Sequence, residues 1–378
     1  MQLLSRLALL ILTASFCAAC TNQGKHVPQE TNTYGTLPDG QTASLYTLTN
    51  ANGLTATLTD FGATLVSLKT PDRDGNFADI TVGYDKLDGW VNDGSYMGVT
   101  AGRYANRIAK GKFSIDETEY TLATNNGPNH LHGGDVGFGK KLWQGKTFSK
   151  DEGEGVAFTY VSADGEEGYP GELTSTVTYF LSNEDELYVI FEATTTAPTV
   201  VNLVHHTYWN LTGDPSNTIL DHKLMLLADG YVPTDETGIP NAGVQPVKDT
   251  PFDFTSATAI GERINGDHVQ LKNGNGYDHC WAINGEAGTM RMAAVAYDPG
   301  SGRIMQIKTD QPGIQFYAGN WLDGSAIGKG GVPQNKRTGF CLETQVHPAS
   351  PNQPDLSNAV LRPGETYKHT MVHVFRTK

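Results

Sequence analysis

Apolar and polar positions alternate along short runs of the chain, and turn-forming residues break each run after a few positions. Successive side chains of a strand point to opposite faces, so such alternation predicts half-buried strands. Residues 44–49, 54–59 and 63–70 are of this kind, rich in Leu, Thr, Tyr and Val. In 173–181, Leu173, Ser175, Val177 and Tyr179 share one face, and Thr174, Thr176 and Thr178 the other, so the first is the expected core face. Three hairpins are predicted. Residues 112–115 and 119–122 flank Asp-Glu-Thr, 173–181 and 187–194 flank Ser-Asn-Glu-Asp-Glu, and 289–297 and 303–309 flank Asp-Pro-Gly-Ser-Gly. Strands over 156–161, 314–318, 339–345 and 367–376 complete the set. Apart from a turn near 257–264, no window keeps a 3.6-residue period. No composition break or internal repeat divides residues 34–378, so the expectation is all-β: one large antiparallel β-sandwich.

Composition supports this and narrows the partners. The 43 Gly and 18 Pro suit a fold with many turns. A net charge of −14 with scattered Lys and Arg argues against nucleic acid. Near the N-terminus, Arg6 precedes an apolar run over 7–17, too short for a permanent membrane span, followed by Cys17-Ala18-Ala19-Cys20. Residues 1–20 resemble a bacterial lipoprotein signal with Cys20 as the lipidated first residue. Ordinary secretory cleavage nearby is the alternative. Either places the protein in the cell envelope or periplasm, with membrane contact only through the lipid. Residues 21–33 are polar and patternless and read as a tether. Cys280 and Cys341 lie in apolar runs and are expected as buried thiols. No Cys/His spacing suggests a structural zinc.

Candidate chemistry begins in 338–348, Thr-Gly-Phe-Cys-Leu-Glu-Thr-Gln-Val-His-Pro. As a strand it puts Phe340, Leu342 and Thr344 on one face and Cys341, Glu343 and Gln345 on the other. Glu343 is a carboxylate in an otherwise uncharged strand, and burying one is costly unless it is paired or has work to do. In 200–211, Val201, Leu203, His205, Thr207 and Trp209 share one face. Asn202, Val204, His206 and Tyr208 share the other, the better wall for a polar cleft, so His206 is preferred over His205. Other candidates are Arg107 in 101–112, whose planar donors suit a carboxylate, a phosphate or sugar hydroxyls, and His132 before Gly133-Gly134. Asp278 and Gln315 complete them. Each of these alone also reads as a structural, turn or surface residue. No nucleophile elbow, phosphate-cradling glycine loop or metal array is present. Together the residues suit acid–base chemistry on a neutral polyhydroxylated ligand.

Read together, these stretches resemble the aldose 1-epimerase (galactose mutarotase) family over roughly residues 34–377. Asp60-Phe61-Gly62-Ala63, Asn106-Arg107-Ile108, His132-Gly133-Gly134, Gly168-Tyr169-Pro170-Gly171, the His206 strand, 276–279, 315–320 and 339–345 occur in the family's order and spacing. The resemblance implies a large antiparallel sandwich and interconversion of the α and β anomers of a free monosaccharide such as galactose or glucose. It also implies Glu343 as general base, His206 as general acid, and Asn106, Arg107, His132, Tyr208, Trp209, Asp278 and Gln315 as sugar contacts, with no metal and no cofactor. A non-catalytic sugar-binding sandwich and a relative acting on a phosphorylated hexose are the alternatives.

Overall fold

The computed structural model describes residues 30–378. The expected leader over 1–20, with Cys20, and most of the tether lie outside the described residues. Glu30–Thr33, expected in the tether, instead begin a strand, Glu30–Thr36, which pairs antiparallel with Thr42–Thr49.

Three antiparallel sheets carry the fold. The first is a meander of five strands in chain order: Glu30–Thr36, Thr42–Thr49, Thr55–Thr59, Thr64–Pro71 and Phe77–Asp79. The second has nine strands. Gln144–Lys150, Gly153–Ser162, Leu173–Ser182 and Glu186–Thr195 run consecutively. Tyr367–Thr377 then returns from the C-terminus, beside Arg303–Thr309, Arg291–Tyr297, Lys223–Leu226 and Thr258–Ala259. The third orders Gln245–Pro246, Gly230–Val232, Asp278–Ala282, Gly313–Tyr317 and Cys341–Gln345. One core joins them: Leu48 and Leu58 from the first sheet, Phe158, Val177 and Met371 from the second, and Trp281, Ile314 and Leu342 from the third. This is the sandwich that the alternation predicts.

All three expected hairpins form. In the first, Asp116 and Glu117 both take positive φ, the two-residue geometry whose twist matches the flanking strands. The turn expected near 257–264 is a short 3-10 segment, Ile260–Glu262. Two short helices, Leu87–Asn92 and Val269–Asn273, have too few residues to show a period. Cys280 and Cys341 are buried free thiols.

The expected strand over 200–211 is broken. Only Thr199–Val200 and Val204–His205 pair as strands, with Val360–Leu361 and Thr100–Ala101 respectively, and Trp209 makes isolated bridges to Thr81 and Phe340. The segment passes between several partners, and none lies beside it for its full length. Its alternation of faces survives the breaks, and this positions the site.

Candidate active site

The register of the third sheet assembles the floor of a cavity of about 540 Å³. Asp278 pairs with Tyr317, Tyr317 with Cys341, and Gln315 with both Cys280 and Glu343. Directly paired residues share a face, as do residues two apart. One face therefore carries Asp278, Gln315, Tyr317, Cys341 and Glu343, while Trp281, Ile314, Phe316 and Leu342 point from the other into the core. The segment 204–209 crosses this floor. His206 and Tyr208 line the cavity. His205 faces the interior, where its ring nitrogens meet Tyr179 Oη at 3.2 Å and Thr207 Oγ1 at 2.8 Å.

Trp209, expected as a sugar contact, does not reach the cavity. It is fully buried in the main core, its ring centroid 5.0 Å from that of His373 and 6.1 Å from that of Phe375. Its neighbour Tyr208 occupies the cavity face, so Trp209 must point the opposite way.

Asn106, Arg107 and His132 form the facing wall. Asn106 takes positive φ, and its backbone pairs reciprocally with His132: Asn106 N–H donates to His132 Nδ1 at 3.2 Å, and His132 N–H to Asn106 O at 3.1 Å. The strand His130–Leu131 ends there, because His132 itself turns to φ +48 and Gly133 follows at φ +89. A Cβ on Gly133 would lie 1.7 Å from Gly102 O, so only glycine allows the turn that brings His132 inward. His130 stays behind, held by Ala123 O at 2.8 Å and Tyr169 Oη at 2.6 Å. His130 and His132, two residues apart, are thereby split between a structural and a cavity position. Asn126 Oδ1 accepts from Arg107 Nε at 3.1 Å, and Arg107 Nη2 lies 3.7 Å from Asp278 Oδ2. Gln315 Nε2 donates to Asp278 Oδ1 at 2.7 Å.

Glu343 and His206 meet at the floor, Oε1 to Nε2, at 3.7 Å. On its other side His206 Nδ1 is 3.7 Å from Cys341 Sγ, and the His132 ring packs edge-on at 5.0 Å. Burial governs both ionisable groups. It pushes Glu343 well above the usual carboxylate range, with Asp278 adding to the rise and Arg107 opposing it. It pulls His206 down to about 4. Both are held toward their neutral forms. Glu343 Oε2 and Gln315 Oε1 are buried without a protein partner, a demand that hydroxyls of a ligand would meet.

Ligand atoms of His132, His206 and Glu343 lie within 4.8 Å of one another, which raises the question of a cation. The donor set does not suit one. Asn106 N–H occupies the lone pair of His132 Nδ1, so the ring proton sits on Nε2, and His132 presents a donor to the cavity instead of a ligand.

Residues 94–96, 126–128, 234 and 236–238, with Asn273 and Trp321, complete the walls. Most were not legible in the sequence, because they sit on turns whose direction no periodicity encodes; Tyr96, at φ +59, packs its ring at a tilt against His132, centroids 4.6 Å apart.

Fold and cavity thus define a β-sandwich with a buried Glu–His pair at the base of a polar pocket. The chain belongs to the aldose 1-epimerase family, whose model matches residues 44–373. It is 43% identical over 338 residues to galactose mutarotase of Bos taurus, covering 89% of this chain and 95% of that one. Aldose 1-epimerase of Escherichia coli (strain K12) is 37% identical over 340 residues, covering 89% and 96%. The crystal structure of galactose 1-epimerase from Lactobacillus acidophilus NCFM superposes with a TM-score of 0.82 at 30% identity, covering 93% of this chain and 99% of that one.

Proposed function

We infer that this protein is an aldose 1-epimerase that opens and recloses the ring of a free aldose. The observation that carries the reading is the Glu343–His206 pair, 3.7 Å apart beneath a wall of hydroxyl-reading side chains. Ring opening removes the proton of the C1 hydroxyl while the ring oxygen gains one. Glu343 takes the first proton and His206 gives the second. The open aldehyde turns about C1–C2 and recloses on its other face, the two groups reversing roles. Each well-placed group contributes roughly 10²–10⁴-fold. Asp278, steadied by Gln315 and Arg107, orients ring hydroxyls, and His132 donates from Nε2. Holding the ring in this way removes wasted geometries from the reaction.

The reacting state needs a carboxylate and an imidazolium. The neutral pair carries the same number of protons, so the two states differ only by one proton passed between the partners. The inverted pKa order makes the neutral pair the resting form, and an incoming sugar that hydrogen-bonds both groups stabilises the charged one.

A phosphorylated substrate fits poorly. Among the described residues lining the cavity, Arg107 is the one Lys or Arg, and it already faces Asp278, with Glu236 adding negative character. Polarimetry on freshly dissolved α-glucose and α-galactose tests the reading. Purified protein should accelerate the approach to anomeric equilibrium; a rate equal to that of buffer would leave a sugar-binding protein without catalysis.

A further inference from the structure

The cavity extends well beyond the groups that handle the anomeric centre. A hexose displaces about six water volumes, roughly 180 Å³. The cavity of about 540 Å³ therefore has room for more than the ring whose C1 sits beside Glu343 and His206. The surplus lies toward the mouth. Glu343 and His206 are only 2% and 4% exposed, whereas Trp321, on the same cavity, is 63% exposed.

Trp321 presents an exposed indole at the edge of the cavity. Its backbone N–H donates to Tyr317 Oη at 3.0 Å, which ties it to the end of the floor strand Gly313–Tyr317. The preceding Asn320 is buried and donates through Nδ2 to Gly274 O at 3.1 Å and Tyr277 O at 2.8 Å. The backbone leading into Trp321 is thus anchored while its ring stays uncovered. Asn126, Thr237 and Asn273 supply amide and hydroxyl groups around the same cavity. An exposed flat aromatic ring with amides and hydroxyls nearby is the chemistry that receives the apolar face of a pyranose and its hydroxyls.

Resting on the epimerase reading above, we propose that Trp321 is the platform of an outer subsite that takes a second sugar ring, and that it sets the enzyme's preference for reducing-end oligosaccharides over free hexoses. The direction of the substrate follows from the floor. C1 of the reducing ring must remain free beside Glu343 and His206, so the hydroxyls on the far side of that ring face the mouth. A glycosidic bond on one of those hydroxyls carries the second ring toward Trp321, and that bond takes no part in the reaction.

The test compares mutarotation of maltose and of glucose in wild type, Trp321→Ala and Trp321→Phe, with thermal melts to confirm folding. The ratio of kcat/KM on maltose to that on glucose should fall about tenfold in Trp321→Ala and recover most of the loss in Trp321→Phe, which keeps a flat ring. An unchanged ratio in Trp321→Ala, whether both activities fall together or neither does, would overturn the subsite. A wild type no faster than buffer on glucose would remove the epimerase reading and this inference with it. A wild type active on glucose but inactive on maltose would overturn the subsite alone.

Discussion

Glu343 and His206 show how far burial can move a pair of side chains from their ordinary behaviour. Reference values of about 4.3 for Glu and 6.5 for His would leave a carboxylate beside a protonatable imidazole. Here Glu343 is raised well above its usual range and His206 is lowered to about 4. Below about 4 both carry protons and no base remains. Above the raised value of Glu343 the pair has lost its shared proton and no acid remains. Activity should therefore hold through the window between these limits and fall at both ends. In the sugar-free protein, NMR titration of labelled histidine should find the His206 ring neutral until the pH approaches about 4; titration near 6.5 would contradict the inverted order. Glu343 was legible in the sequence as a charge in an uncharged strand. Its pKa was not, because that depends first on burial and then on Asp278 and Arg107, which only the tertiary fold brings near it.

At the scale of elements, alternation carries most of what the sequence discloses. The strands expected at 112–115 and 303–309 form with those bounds, and others shift by a few residues at their ends. The segment 200–211 is the instructive failure. Its pairing is broken among Val360–Leu361, Thr100–Ala101, Thr81 and Phe340, yet His206 and Tyr208 still face the cavity while His205 and Trp209 face the core. Side-chain alternation is local, whereas pairing needs a partner that only the tertiary fold supplies. Assigning Trp209 to the sugar went against that alternation, and the alternation prevails. Substitutions should separate the two neighbours. Trp209→Ala, which empties a fully buried site, should cost about 3–5 kcal/mol in urea denaturation. Tyr208→Phe removes the hydroxyl that donates to Ser95 O at 2.9 Å and should cost only about 1 kcal/mol while raising KM. Equal stability losses, with KM unmoved in Tyr208→Phe, would mean the two faces are assigned wrongly.

For the whole molecule, the third sheet supplies the floor of the cavity and the loops its outer walls. Three sheets share one core, and the third turns one face to that core and the other to the cavity. The leader adds a question of location. The motif Cys17-Ala18-Ala19-Cys20 leads us to propose an envelope lipoprotein acylated at Cys20. Metabolic labelling with a fatty acid should tag the wild type and not Cys20→Ala; an unlabelled wild type would leave simple secretion. The fold class was readable because alternating runs and turns recur along the whole chain. The outer cavity was not, since Tyr96, Asn126 and Trp321 sit on loops whose course depends on contacts far away in sequence. The central claim is that Glu343 supplies the base of an aldose 1-epimerase. Its most direct test is the mutarotation rate of Glu343→Gln, measured by polarimetry above the uncatalysed background and beside a wild type of matched stability. Glutamine keeps the size of the side chain and removes its basicity, so the rate should fall by at least about a hundredfold. A rate near that of the wild type would contradict the account.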